Sequence, residues 1–173
     1  TIFYFLLRFI SKISSKKIIN CTNIVGLAGV EQITEAINTK ADIIICGRST
    51  DASLIASLPI MKGVDEAIAW HAGKIGECGA FCTTNPRSGV ILISFQKNGF
   101  FIKPVTNNTK VTPYTVSAHM VYENSNPFTL IEPGGHLDVK NAIYEKQKDG
   151  SVYVTGANWV KDNNYKIKLE GTY

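Results

Sequence analysis

Hydrophobic and polar positions follow one pattern up to about Pro86 and another after it. In the first stretch, apolar residues recur at helical spacing. Ile33 and Ile37 mark a helix from about Val30 to Asn38, and Ala52 opens a second over roughly 51–58, stopped near Pro59. Ile68, His71, Ile75 and Cys78 mark a third over roughly 64–81. Two short apolar runs flank the first helix: 18–25, ending in Gly26-Leu27-Ala28-Gly29, and 41–46, containing Ile43, Ile44, Ile45 and Cys46. A strand, a helix and a strand in short succession predict a β-α-β unit with a parallel sheet.

After Pro86 the runs are strand-length. GVILISF (89–95) and FFIKPV (100–105) flank an Asn98-Gly99 turn and predict a hairpin. Thr112-Pro113 reads as an N-cap followed by proline at the first helical position, opening a helix that carries Tyr114 to Glu123. FTLIE, AIYEKQ, SVYVTG and YKIKLEG then predict strands, the middle two joined across Lys148-Asp149-Gly150. The expected fold class is therefore α/β: a β-α-β half with a short parallel sheet, followed by an antiparallel α+β half.

Residues 1–20 stand apart from a domain expected over 21–173. Ile2, Phe5, Leu6, Phe9, Ile10 and Ile13 share one helical face, and Arg8, Ser11, Lys12 and Ser15 the opposite one. A basic amphipathic segment without acids fits a mitochondrial presequence or a membrane-surface helix. It equally fits the edge of a fragment, a helix packed on a domain whose other half is missing. The chain opens on Thr1 rather than a methionine, which sets the expectation of a piece of a longer protein.

Composition narrows the classes. A 45% apolar and 18% charged content over 173 residues supports a globular core. No apolar run reaches the roughly 18–20 residues that span a bilayer. Arg8, Lys12, Lys16 and Lys17 account for the net charge of +4, and the remaining 14 basic residues balance the 14 acidic ones. The body thus lacks the basic excess of a nucleic-acid binder. Of the four cysteines, Cys46 falls in an apolar run, and Cys78 and Cys82 lack nearby histidines to complete a tetrahedral metal set. Reduced thiols point to the cytoplasm, with the mitochondrion as the alternative. The triplets starting at Asn20 and Asn107 are too short to indicate secretion.

Chemistry has several candidate positions. Gly47-Arg48-Ser49-Thr50-Asp51 lies between the 41–46 run and a helix start, where open α/β sheets place ligands. Free N–H groups there attract anions, and Arg48 adds a clamp for carboxylate or phosphate. An Arg48–Asp51 ion pair with Ser49 or Thr50 as helix cap fits the same residues. The third helix carries His71, Lys74, Glu77 and Cys78. Lys74 at i−4 from Cys78 would lower a thiol pKa, while a surface Lys–Glu pair and a core cysteine fit equally. His119 and Glu123 are four residues apart, which suits a base with its orienter, an arm of a metal site, or a structural pair. Glu132-Pro133-Gly134-Gly135-His136-Leu137-Asp138 is a tight turn with ionisable residues around it. Nucleophile-elbow, P-loop, HExxH and CxxC patterns do not occur.

ADIIICGRSTDASL, AWHAGKIGECGA, TPYTVSAHMVYENSNPF, EPGGHLDV and YKIKLEGTY, in this order, resemble the N-terminal domain of the acyclic terpene utilisation family from about Cys21 onward. Lys74 stands where some members have histidine, and Thr84-Asn85 replaces a Gly-Gly pair. The resemblance implies breakdown of branched isoprenoid acids or related acyl thioesters. It also marks Arg48, Asp51, Glu77, His119, Tyr122 and Glu123 as matching polar motif positions. The expectation is an enzyme-type domain acting on a small carboxylic acid or acyl thioester. Arg48, Ser49, Thr50 and Asp51 would bind the substrate, and His119, Glu123, Tyr122 and Glu77 would handle protons. No metal or cofactor is assigned. The rival expectation is a non-catalytic binding or assembly domain or a truncated copy, whose unpaired edge over 18–46 would favour homo-oligomers.

Overall fold

The computed structural model describes residues 18–121 and 126–172. Strand β1 (Asn23–Gly26) leads into helix α1 (Val30–Asn38), and helices α2 (Asp51–Met61) and α3 (Glu66–Gly76) follow. A 3-10 turn over Gly79–Cys82 closes this half. The hairpin β2 (Ile91–Gln96) and β3 (Gly99–Pro104) precedes helix α4 (Pro113–His119). The remainder is β4 (Thr129–Glu132), β5 (Gly135–Asp138), β6 (Ile143–Lys146), β7 (Val152–Thr155), β8 (Asn158–Lys161) and β9 (Leu169–Thr172).

Local chemistry explains the helix bounds. The Asp65 carboxylate accepts from Ala67 N at 2.9 Å, capping α3. Thr112 caps α4, accepting from Thr115 N at 3.0 Å while Thr115 Oγ1 accepts from Thr112 N at 2.9 Å, with Pro113 at the first helical position. Helix α2 outruns Pro59 by two residues. The proline removes one N–H, but Lys62 N still donates to Leu58 O at 3.1 Å, and the turn ends at Gly63, whose φ is +83°. Small residues let α2 and α3 pack closely: a Cβ on Gly73 would lie 2.5 Å from the Ala52 carbonyl.

Among the described residues the strands form three antiparallel groups, β2-β3-β7-β6, β4-β5-β8 and the pair β1-β9. Phe100 and Ile102 of β3, Val152 and Val154 of β7 and Leu137 of β5 are buried with Ile75 and Trp70 of α3. Trp70 stacks on Trp159 of β8, ring centroids 4.9 Å apart.

The mixed α/β class holds, but the expected parallel sheet is corrected. The only parallel pairing among the described residues is one bridge, Ala28 to Ser49, with Ala28 N donating to Arg48 O and Thr50 N to Ala28 O, both at 3.0 Å. The 41–46 run is not a strand, and Ile43 and Ile45 are 80% and 91% exposed. Its β-branched residues favour extended backbone, yet strand propensity needs a packed neighbour to be realised. The four residues of β1 pair instead with β9, Asn23 opposite Thr172. Cys46 is accordingly exposed and not a core residue.

Candidate active site

Three loops converge beside the C-terminal end of α3. The segment before α1 is tied to the Arg48–Asp51 loop by the Ala28–Ser49 bridge. The turn between β4 and β5 lies against the same segment, since a Cβ on Gly29 would come within 2.9 Å of Pro133 Cβ. Gly134 in that turn has φ +79°, a conformation glycine adopts without cost, and its N–H donates to Lys166 O at 3.0 Å.

In the Arg48–Asp51 loop, Arg48 is paired with a carboxylate far along the chain. The guanidinium donates from Nε and Nη2 to both carboxylate oxygens of Glu170, at 2.8 and 2.6 Å. This partner is on β9, and the fork ties the loop to the β1-β9 pair. Ser49 and Thr50 are buried, and Thr50 stands at the N-cap position of α2 without capping it through its side chain. Thr50 Oγ1 has no hydrogen-bond partner among the described residues. Asp51 is exposed in the first turn of α2.

The end of α3 supplies the charged groups. Lys74 Nζ donates to Glu77 Oε1 at 2.6 Å, both side chains largely covered. Burial raises the Glu77 carboxyl pKa above the usual range, and the carboxylates of Glu132 and Asp51 push it further, against the pull of Lys74. His119, at the end of α4 and 7% exposed, reaches back to α3, where its Nε2 donates to the Lys74 carbonyl at 3.3 Å. That bond fixes Nδ1 as the basic nitrogen. Burial lowers the His119 pKa first; the hydrogen bond to the Lys74 carbonyl opposes this, and the Lys74 ammonium adds to it.

Glu132, at the end of β4, completes the cluster. It is 3% exposed, its Oε1 lies 3.3 Å from Lys168 Nζ, and its Oε2 has no hydrogen-bond partner among the described residues. A buried carboxylate oxygen without a donor costs free energy, offset here in part by the Lys168 ammonium at the other oxygen.

The structure therefore brings Glu77, His119 and Asp51 into one neighbourhood, with Thr50 the residue before Asp51, and adds Lys74 and Glu132, which sequence reasoning assigned to other roles. The signal for Glu132 was present: alternation along β4 puts it on the buried face with Leu130. His71 does not belong to this cluster, and Lys74 is paired with Glu77. Tyr122 and Glu123 lie outside the described residues. No group of three or more His, Cys, Asp or Glu side chains among the described residues is arranged to hold a metal ion, and no helix among them is long and apolar enough to cross a membrane.

Fold and site define a mixed α/β domain with a largely buried cluster of ionisable side chains where loops meet a helix end. The chain belongs to the acyclic terpene utilisation family: residues 14–173 match the family described as acyclic terpene utilisation family protein AtuA. No curated protein and no solved structure matches the chain.

Proposed function

We propose that this domain acts in the catabolism of branched carboxylic acids, binding the acid or its acyl thioester and moving a proton beside the carbonyl. One observation carries the reading: Glu77 and His119 meet at Lys74, which gives its ammonium to the Glu77 carboxylate and its carbonyl to His119 Nε2, so that burial, which disfavours the charged form of each, sets a neutral imidazole near a carboxyl that holds its proton more readily. A neutral His119 would take the α-proton on Nδ1. The electron pair of the broken C–H bond would move onto the carbonyl oxygen as an enolate, and return of the proton restores the substrate. Glu77, held protonated more readily than an exposed acid, is the second proton carrier, and the Lys74 ammonium offsets negative charge nearby. At four residues from His119, Glu123 in this reading supplies the negative charge that favours and orients the imidazolium, with Tyr122 as a further proton partner.

Within the loop, Ser49, Thr50 and Asp51 face the substrate in this reading, and Arg48 contributes by bracing the loop through Glu170. Thr50 is the residue most open to test. Ligand binding to the native state alone raises stability, by about 2.7 kcal/mol at a hundredfold excess over Kd. A branched acyl-coenzyme A such as isovaleryl-coenzyme A is expected to raise the melting midpoint with concentration, and Thr50→Val to reduce that rise while keeping a cooperative melt. A midpoint unmoved by any branched thioester contradicts the reading.

Exposure of Ile43 and Ile45 favours a second reading, a binding or assembly domain that joins a second copy through the 41–46 run. Light scattering across concentration tests it. Self-association that Ile45→Lys abolishes supports assembly, and a monomer at high concentration overturns it.

A further inference from the structure

Residues 162–168 cross from β8 to β9 without regular structure, and none of them is buried. Three backbone bonds hold them. Asp162 N donates to Gly134 O at 2.9 Å, Gly134 N to Lys166 O at 3.0 Å, and Leu27 N to Lys168 O at 2.9 Å. Side chains add to these: Tyr165 Oη donates to Glu31 Oε2 at 2.9 Å, Lys168 Nζ lies 3.3 Å from Glu132 Oε1, and Lys166 Nζ lies 3.2 Å from Asp162 Oδ2.

Almost all of these contacts reach elements that build the Glu77–His119 cluster. Glu132 ends β4, Gly134 lies in the β4-β5 turn, Glu31 opens α1, and Leu27 precedes the bridge to the Arg48–Asp51 loop. The Tyr165 ring closes on the turn, since a Cβ on Gly134 would lie 3.0 Å from Tyr165 Cε2. Lys168 lies over Glu132: the Glu132 side chain is 2% exposed, that of Lys168 38%. Both ends are fixed, because β8 pairs with β5 and β9 with β1.

No buried apolar side chain anchors the segment, as Tyr165 and Ile167 are 52% and 51% exposed. Segments with few buried apolar contacts and solvent-exposed hydrogen bonds open locally, well before the whole domain unfolds. Exposed ion pairs add little resistance. Glu132 Oε2, buried without a donor, gains water when the segment lifts, which lowers the cost of opening further. We infer that residues 162–168 are a strap that shuts Glu132 away from solvent and opens as one unit, hinged at Lys161 and Leu169. That this opening is also a ligand's way to the cluster rests on the function proposed above; the strap itself is tested without substrate.

The full chain is treated with a water-soluble carbodiimide and glycinamide, and amidation of Glu132 is followed by mass spectrometry. Labelling is slow beside local opening, so it tracks the open population. Amide exchange at Leu27, Gly134 and Asp162, whose N–H groups bond into or out of the strap, is followed by NMR. Tyr165→Phe removes the bond to Glu31 and keeps the ring. Glu132 labelling and exchange at the three amides are expected to rise together in this variant, by roughly fivefold, the weight of one hydrogen bond, while exchange at Ile102 in β3 stays unchanged. In the unsubstituted chain, sodium chloride at about 1 M, which screens Lys168 from Glu132, is expected to raise Glu132 labelling as well. Glu132 labelling unmoved under both conditions, a rise at Gly134 alone, or a rise that Ile102 shares overturns the proposal. Failure of the thioester to bind or exchange leaves all these readouts unchanged and counts against the proposed function only.

Discussion

His71 and His119 are both buried histidines, yet their surroundings give them different work. His71 is enclosed by aromatic rings, and burial pulls its pKa down to about 3. In the unfolded chain the same imidazole titrates near 6.5. Both states are neutral above that value, so the group leaves stability unchanged there. As pH falls below about 6.5 the unfolded state takes up a proton that the native state refuses, and stability is lost progressively down to about 3. The slope from this one group approaches about 1.4 kcal/mol per pH unit. Denaturant titrations between pH 6.5 and 4 are expected to show this loss, and His71→Gln, which has no proton to gain, to flatten it by one proton's worth. An unchanged slope in that variant contradicts the assignment. Sequence spacing showed that His71 and His119 sit on helices, but nothing local in the sequence separates a histidine facing Tyr144, 73 residues away, from one facing the Lys74 carbonyl, 45 residues away.

At the scale of elements, much was legible where the signal is local. The Thr112-Pro113 start, the β2-β3 hairpin and the bounds of α1 depend on neighbours in sequence and formed as the residues indicate, except that the hairpin turns at Lys97-Asn98, with Gly99 already in β3 and paired to Gln96. The 41–46 run was misread because its alternatives are decided by partners distant in the chain. Its residues favour extended backbone, but β1 is taken up by β9, so strand propensity found no ladder. Strands β5 and β8 were hidden for the opposite reason. Gly135–Asp138 lies inside a run that reads as a turn, and its pairing with Asn158–Lys161 depends on Trp159 reaching Trp70 across the core. The same logic bears on the assembly reading: Ile43 and Ile45 expose apolar surface, and replacing Ile45 with lysine is expected to lower any concentration-dependent scattering without lowering the melting midpoint.

On the scale of the whole molecule, the ionisable groups come from four separate elements and meet only through the fold. Lys74 and Glu77 arrive at the end of α3, His119 from α4, Glu132 from β4, and Asp51 from the start of α2. The family resemblance pointed to Glu77, His119 and Asp51 by their motifs, and the geometry adds Lys74 and Glu132 as the groups that shape the charge around them. If His119 is the base, activity rises as pH climbs through its lowered pKa, so the ascending limb lies below 6.5. The most direct measurement of the central claim is exchange at the α-carbon. The protein is incubated in deuterium oxide with isovaleryl-coenzyme A, and incorporation beside the carbonyl is followed by mass spectrometry. The account predicts deuterium uptake that falls roughly a hundredfold or more in His119→Asn; no uptake above the protein-free rate, or full uptake in that variant, would contradict it.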